Sequence, residues 1–200
     1  MSYELLTALI LFVFAASITP GPNNLMLLAS GANFGLRRSL PLMIGISQGH
    51  AFMALILGLG VAQIFALVTG AKLVLTLASI LYMLYLAYKI ATAAPPSEQS
   101  DTGHPLSFVQ GAAFQLVNPK GWAMALTAVT IYRPVEGLAG AFVAWAVIAT
   151  VNTVSVTTWA MLGQQTQRIL TSPARLRLFN RSMAALLIMS LVPVVWQLMG

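Results

Sequence analysis

The 200-residue chain has no cysteine, four acidic residues, two histidines and only 7% charged residues. Without cysteine there is no disulfide, no thiolate nucleophile and no cysteine-ligated metal, and the redox compartment is left open. The acids, Glu4, Glu98, Asp101 and Glu136, are scattered, so no carboxylate pair is spaced for acid–base chemistry. His50 and His104 stand far apart, and no two metal ligands share helical spacing. These absences count against an enzyme, and nothing calls for a metal or a cofactor. Soluble domains carry about 25% charged residues, so the shortage of charge also excludes an ordinary water-exposed surface.

What is present is apolar. Hydrophobic residues make up 58% of the chain and the mean hydropathy is +0.85. A bilayer-spanning helix takes about 20 residues, which leaves room for six spans and no extramembrane domain. The apolar runs predict spans at 5–28, 40–66, 72–91, 107–131, 138–163 and 182–199, joined by short links at 31–39, 69–71, 94–105, 132–137 and 164–181. The first run has the length of a signal-peptide core, but residues 1–4 carry no Lys or Arg and no small-residue cleavage site follows cleanly. It reads as an uncleaved span. The link at 94–105, rich in Pro, Ser and acids, divides one transmembrane domain, 1–200, into halves 1–93 and 106–200.

The net charge of +6 comes from residues that flank apolar runs rather than forming a patch; this argues for a lipid bilayer as partner and against nucleic acid. Arg37, Arg38, Lys89, Arg168, Arg175, Arg177 and Arg181 fall in or beside the first, third and fifth links, against Lys72 and Arg133 on the other side. Basic residues favour the cytoplasmic side of short loops, so both termini are expected on the periplasmic or outer side of an inner membrane. A first half running outside to inside and a second running inside to outside can only be related as inverted repeats, an arrangement of many secondary transporters. The predicted fold is thus all-α and polytopic, six transmembrane helices in two inverted three-helix halves.

Helices one and four carry matching interruptions. Thr19-Pro20-Gly21-Pro22-Asn23-Asn24 and Asn118-Pro119-Lys120-Gly121 lie about 98 residues apart, close to half the chain. Pro20 and Pro22 remove two backbone donors and crowd the carbonyls four residues back, and Gly21 is expected to permit a sharp turn. Freed backbone groups at membrane depth cost several kcal/mol each unless protein, water or substrate satisfies them. Asn23 and Asn24 each bring two donors and one acceptor. The helix restarting at Pro22 turns its positive end to the break, where a carboxylate fits. Asn118, before a proline, is pushed from helical geometry. Lys120 lies about 13 residues into its span, roughly 20 Å along at the helical rise. An ammonium at that depth marks a functional position, and with no acid in any span its partner would be a substrate carboxylate. Plain proline kinks and an interfacial, snorkelling lysine are the alternatives.

His50 is the one span residue that ordinarily titrates near neutrality and is the candidate for proton coupling; a histidine bonded to a neighbouring helix carbonyl is the competing reading. Gln48 and Asn152 are weaker candidates for lining a cavity, Asn152 on a face shared with Ser155 and Trp159. Trp122 suits either the cavity or lipid. Gly45-x3-Gly49 and Gly58-x-Gly60 suit close helix packing. Tyr82, Tyr85 and Tyr88 suit an aromatic belt, and residues 173–181 a basic interfacial segment.

These residues resemble a known family. Thr19–Asn24, Gly31 with Gly35-Leu36-Arg37-Arg38, Gly45 with Gly49, and Asn118-Pro119-Lys120 are similar to the lysine exporter / homoserine-threonine exporter family of bacterial amino-acid efflux proteins. Residues 35–39, 45–47, 86–92 and 114–118 are most similar to its cysteine/O-acetylserine exporter branch. The resemblance covers essentially the whole chain. It implies export of a small neutral amino acid or derivative (cysteine-, O-acetylserine-, homoserine- or threonine-like) from the cytoplasm by alternating access, driven by the proton motive force. It implies a core of Pro20, Gly21, Pro22, Asn23, Asn118, Pro119 and Lys120. Many relatives carry an acid where this chain has His50, so a carboxylate coupling role does not transfer. A homodimer, a different small solute, and a non-transporting membrane assembly subunit stay open.

Overall fold

A computed structural model describes residues 2–61, 70–93 and 104–199, leaving aside the side chains of 71–72 and 197–199. These residues are helix and loop, with no strand among them: α1 (Tyr3–Ile18), α2 (Pro22–Ile56, continued by a π-turn, Leu57–Val61), α3 (Ala71–Ala91), α4 (Phe108–Val117), α5 (Pro119–Thr130), α6 (Gly137–Thr166), α7 (Pro173–Met189) and α8 (Val192–Met199). Four stretches are long and apolar enough to cross a membrane, Pro22–Val61, Leu73–Ala91, Gly137–Thr166 and Pro173–Trp196, beside the shorter apolar helices Tyr3–Ile18 and Phe108–Val117. The architecture is all-α and multi-pass. Its outer surface is apolar: Leu11, Val74, Leu81, Val109, Leu178 and Trp196 are each more than 60% exposed, Trp196 reaching 71%. Most of the predicted linker 94–105 and the end of the second predicted span, 62–66, lie outside the described residues.

The expected link at 31–39 shrinks to one residue. Helix continues on both sides of Gly35, which alone takes φ +73° and ψ 171°, a left-handed φ that only glycine adopts readily. The chain folds back there. Ser30 and Ser39, which a straight helix would separate by about 13 Å, share a hydroxyl–hydroxyl hydrogen bond of 2.8 Å. Ser39 also donates to the Gly35 carbonyl, and the Leu36 amide donates to Gln164 of α6. A turn closed by side chains of its own and of a neighbouring helix needs no longer loop.

The link expected at 164–181 is also shorter. α6 runs to Thr166, and α7 begins at Pro173, with the Ser172 hydroxyl accepting from the Arg175 amide. The basic segment 173–181 is therefore the first half of a helix that buries Leu176 and Asn180. The sixth predicted span is broken between Met189 and Val192. Pro193 there has no N–H to continue the ladder, and its ring crowds the carbonyl four residues back.

Glycines set the helix spacing. A side chain at Gly31 would strike the Ala160 carbonyl of α6, and one at Gly163 the Leu28 carbonyl of α2, so the two backbones meet directly. Gly45 and Gly49 lie likewise against Phe108 and Ala112 of α4, as their spacing predicts. Gly58 packs on Ala141, whereas Gly60 serves the turn, with φ +101°. Tyr82 and Tyr85 also join helices. The Tyr82 hydroxyl donates to the Gln110 carbonyl of α4 and the Tyr85 hydroxyl accepts from the Gln110 amide; Tyr85 and Tyr88 are the exposed members of the expected belt.

Two apolar clusters result. One gathers Met26, Leu42, Met83, Phe114, Ala160 and Leu187; the other gathers Leu9, Met53, Leu57, Ala125, Ala144 and Ile148. Along α2 they are separated by Ser47 and His50, and along α6 by Asn152 and Ser155. A polar layer therefore lies between two dry ones.

Candidate functional site

Both sequence interruptions open onto that polar layer. α1 ends at Ile18 and α2 starts at Pro22; α4 ends at Val117 and α5 starts at Pro119. Gly21 is fully extended (φ −172°, ψ −179°), a conformation any residue adopts, so the expected glycine-specific turn is absent. Glycine is needed for space instead. A Cβ on Gly21 would lie 3.0 Å from Lys120 Cδ and 3.1 Å from Nζ, because the lysine chain crosses this point.

Breaking α1 leaves carbonyls at its C-terminal end without helical partners, and other elements supply donors for them. Asn24 donates its amide to the carbonyls of Ser17 (3.0 Å) and Thr19 (2.8 Å). From α6, Ser155 Oγ donates to Ser17 O at 2.8 Å and Trp159 Nε1 to Ile18 O at 3.2 Å. From α5, Lys120 Nζ donates to Thr19 O at 2.7 Å and reaches Pro20 O at 3.5 Å. The negative end of the helix dipole thus holds the ammonium.

Asn23 faces the other broken helix. It forms a reciprocal amide pair with Gln115 of α4, both hydrogen bonds 3.0 Å. Gln115 is fully buried and also donates to the Gly111 carbonyl. The Asn118 amide donates at 3.4 Å to Gln115, but Asn118 Oδ1 is buried without a hydrogen-bond partner. An unsatisfied buried acceptor costs about 1–3 kcal/mol, so this oxygen is out of keeping with the satisfied groups around it.

His50 closes the layer. Asn152 of α6 donates to its Nδ1 at 3.1 Å, and its Nε2 is 3.1 Å from the Gly121 carbonyl of α5. An amide NH₂ can only donate and a carbonyl can only accept, so with the Asn152 amide turned this way the two contacts fit a neutral ring with its hydrogen on Nε2. Nearby, Ser47 Oγ donates to Ala149 O at 3.1 Å.

Gly21, Pro22, Asn23, Asn24, His50, Asn118, Lys120 and Asn152 line one cavity of about 30 Å³ with Ser17 and Ser155. That is space for about two waters at ~10–15 Å³ each; an amino acid would need the walls to part. Of the sequence candidates, Pro20, Pro119 and Gln48 are outside the lining; Gln48 is exposed on α2. Pro20 contributes its carbonyl to Lys120, while Trp122 turns its indole N–H to the Leu116 carbonyl at 2.8 Å. Among the described residues no acid lines the cavity and no group of metal ligands forms. Sequence reasoning passed over Gln115, although a glutamine one helical turn before Asn118 in an apolar run is a rare intramembrane polar residue.

The LysE type translocator family matches residues 14–193. Cysteine/O-acetylserine efflux proteins of Escherichia coli (strain K12), Shigella sonnei (strain Ss046) and Shigella flexneri serotype 5b (strain 8401) are each 31% identical over 175 residues, 84% of this chain and 87% of theirs. No solved structure matches the chain.

Proposed function

The chain belongs to the LysE type translocator family, a multi-pass membrane transporter and not an enzyme, and from that premise we propose that it exports a small neutral amino acid or derivative from the cytoplasm. The observation that carries this reading is the meeting of two broken helices over one polar cavity, with the Lys120 ammonium bridging from one break to the other at 2.7 Å from Thr19 O. Discontinuous helices whose ends face each other are the usual construction of a secondary-transport site. A substrate carboxylate would lie against Lys120, Asn23 and the restarted helices. The cavity's lack of acids disfavours dibasic substrates, whose second ammonium would have no partner. The 31% identity to cysteine/O-acetylserine efflux proteins favours cysteine-like and O-acetylserine-like solutes.

Six spans in two inverted halves are the arrangement proposed. Contacts at the site support it, because residues about half the chain apart face one another: Ser47 with Ala149 and His50 with Asn152 are each 102 positions apart, and Lys120 with Thr19 is 101. Elements near a pseudo-two-fold axis meet their counterparts in this way. The ends of the molecule agree with the basic-residue count. The Ser2 amide donates to Pro134 O in the loop before α6, while the Gly35 turn meets Gln164 and Gln167 at the far end of α6. Arg37, Arg38 and Arg168 thus lie toward the end proposed to be cytoplasmic and Ser2 toward the other, which supports the proposal of termini on the outer side. Rocking of the halves about the polar layer, with the apolar clusters opening in turn, would give alternating access.

Proton drive is assigned to His50. A second proton on Nδ1 would face the Asn152 NH₂ donor to donor, so that amide must turn its oxygen to the ring or leave, changing the contact between the 36–56 arm of α2 and α6. Protonation would then act on the contact between halves. The test is efflux from proteoliposomes loaded with mixed amino acids, read by mass spectrometry with and without an imposed pH gradient. Selective, gradient-dependent loss of one small neutral class is expected. Retention of every amino acid by correctly inserted protein would overturn the reading.

A further inference from the structure

The bond between Lys120 and the end of α1 has a chemical meaning beyond a satisfied lysine. Thr19 O and Pro20 O, at 2.7 and 3.5 Å from Nζ, are neutral acceptors at the negative end of a helix, and no carboxylate among the described residues lines the cavity. The ammonium is therefore held by dipoles alone. Asn118, only 2% exposed and among the residues lining the same cavity, has an Oδ1 with no donor. α2 and α5 also begin there, and their first turns, like those of α3 and α6, have no side-chain cap. Surplus acceptors and uncapped amide ends thus coexist in one small space, divided by a lysine.

We infer that Lys120 sits where a substrate's ammonium binds, and that Asn118 Oδ1 with the Thr19 and Pro20 carbonyls forms the ammonium end of a site built for a zwitterion. This rests on the exporter reading above and adds how the solute is recognised. On binding, the incoming ammonium replaces Nζ at the Thr19 and Pro20 carbonyls and gives a donor to Asn118 Oδ1. Lys120 turns to the carboxylate beside the amide ends of α2 and α5. No proton moves and the net charge of the site is unchanged, one ammonium replacing another while the carboxylate gives the displaced one a full counter-charge. A solute without a carboxylate would set a second cation beside Lys120. A solute without an ammonium would draw Lys120 away, leaving Thr19 O to Asn24 alone and Pro20 O without its contact to the ammonium. Either defect strips a charge-assisted bond from a poorly hydrated place, a loss of about tenfold or more in affinity.

The experiment compares L-cysteine, its methyl ester and N-acetyl-L-cysteine, under reductant, as efflux rates from proteoliposomes minus protein-free controls. Wild-type protein is expected to release cysteine at least about tenfold faster than either analogue. Asn118→Leu is expected to slow cysteine toward the N-acetyl compound. Lys120→Gln is expected to erase the preference for cysteine over its ester while keeping the preference over the N-acetyl compound. The wild-type comparison needs no variant, so poor insertion of Asn118→Leu leaves the inference exposed to refutation. Wild-type release of either analogue as fast as cysteine overturns it, as does an unaltered preference in both variants. Retention of these three and of every amino acid in the mixed load by correctly inserted wild-type protein overturns the exporter reading itself, and this inference with it.

Discussion

Two amide pairs in this molecule use the same chemistry to opposite ends. At the Gly35 end, Asn33 and Asn180 bond reciprocally at 2.7 and 2.9 Å, Asn33 adds the Ala29 carbonyl and Asn180 the Ala93 carbonyl. Asn180 is fully buried and Asn33 nearly so. The pair ties α2, α7 and the end of α3 together, and its donors are all engaged. In the polar layer Asn23 and Gln115 form the same reciprocal pair, but Asn23 lines a water-sized cavity and the neighbouring Asn118 has an unanswered oxygen. A complete network fixes a structure. An incomplete one, in contact with space, leaves a place for a ligand to complete it.

The contrast can be tested at both ends. The largest effect is expected from Lys120→Met, which keeps the length of the chain and removes the ammonium. Efflux should fall at least about tenfold, the loss of a hydrogen bond between charged partners, while membrane insertion is unchanged; a wild-type rate would remove Lys120 from the site. Next is Asn180→Leu, which strands the buried Asn33 amide and the Ala93 carbonyl. A stability loss of about 1–3 kcal/mol should appear as a lower thermal unfolding midpoint in detergent. The double variant Asn33→Leu with Asn180→Leu should recover part of it, because removing both partners costs less than orphaning one. Asn23→Leu should destabilise less, by about 1 kcal/mol, since Gln115 keeps the Gly111 carbonyl and the Asn118 amide as partners; a loss as large as that of Asn180→Leu would erase the distinction between the pairs. The smallest structural effect is expected from His50→Gln, which retains a donor and an acceptor. Its efflux should persist and lose its dependence on an imposed pH gradient, whereas an intact dependence would move proton coupling off His50.

Much of this was legible in residue types alone. A lysine, paired asparagines and prolines inside apolar runs are conspicuous because the bilayer penalises each of them, and the cavity does gather Asn23, Asn24, His50, Asn118, Lys120 and Asn152. What each does there was not legible. Asn24 was expected to serve backbone groups freed by the break, and it does, but that they are the carbonyls of Ser17 and Thr19 was not readable. Gln48 and Ser47 are neighbours in the chain, but only the second points inward. Gln115, Asn33 and Asn180 attracted no attention because their partners are 92 and 147 residues away.

The sequence by itself determined that this chain crosses a membrane, that it is helical, and where its helices break. Those outcomes follow from the local price of exposing backbone and charge to hydrocarbon, which each short segment settles alone. Only the tertiary structure decided which carbonyl receives Lys120, that the imidazole of His50 lies between Asn152 and Gly121, and that Asn118 keeps a free oxygen. Hydrogen bonds are directional and of short range, so their partners are chosen when distant segments pack. The glycines at 31, 45, 49 and 163, by letting backbones touch, bring those segments together.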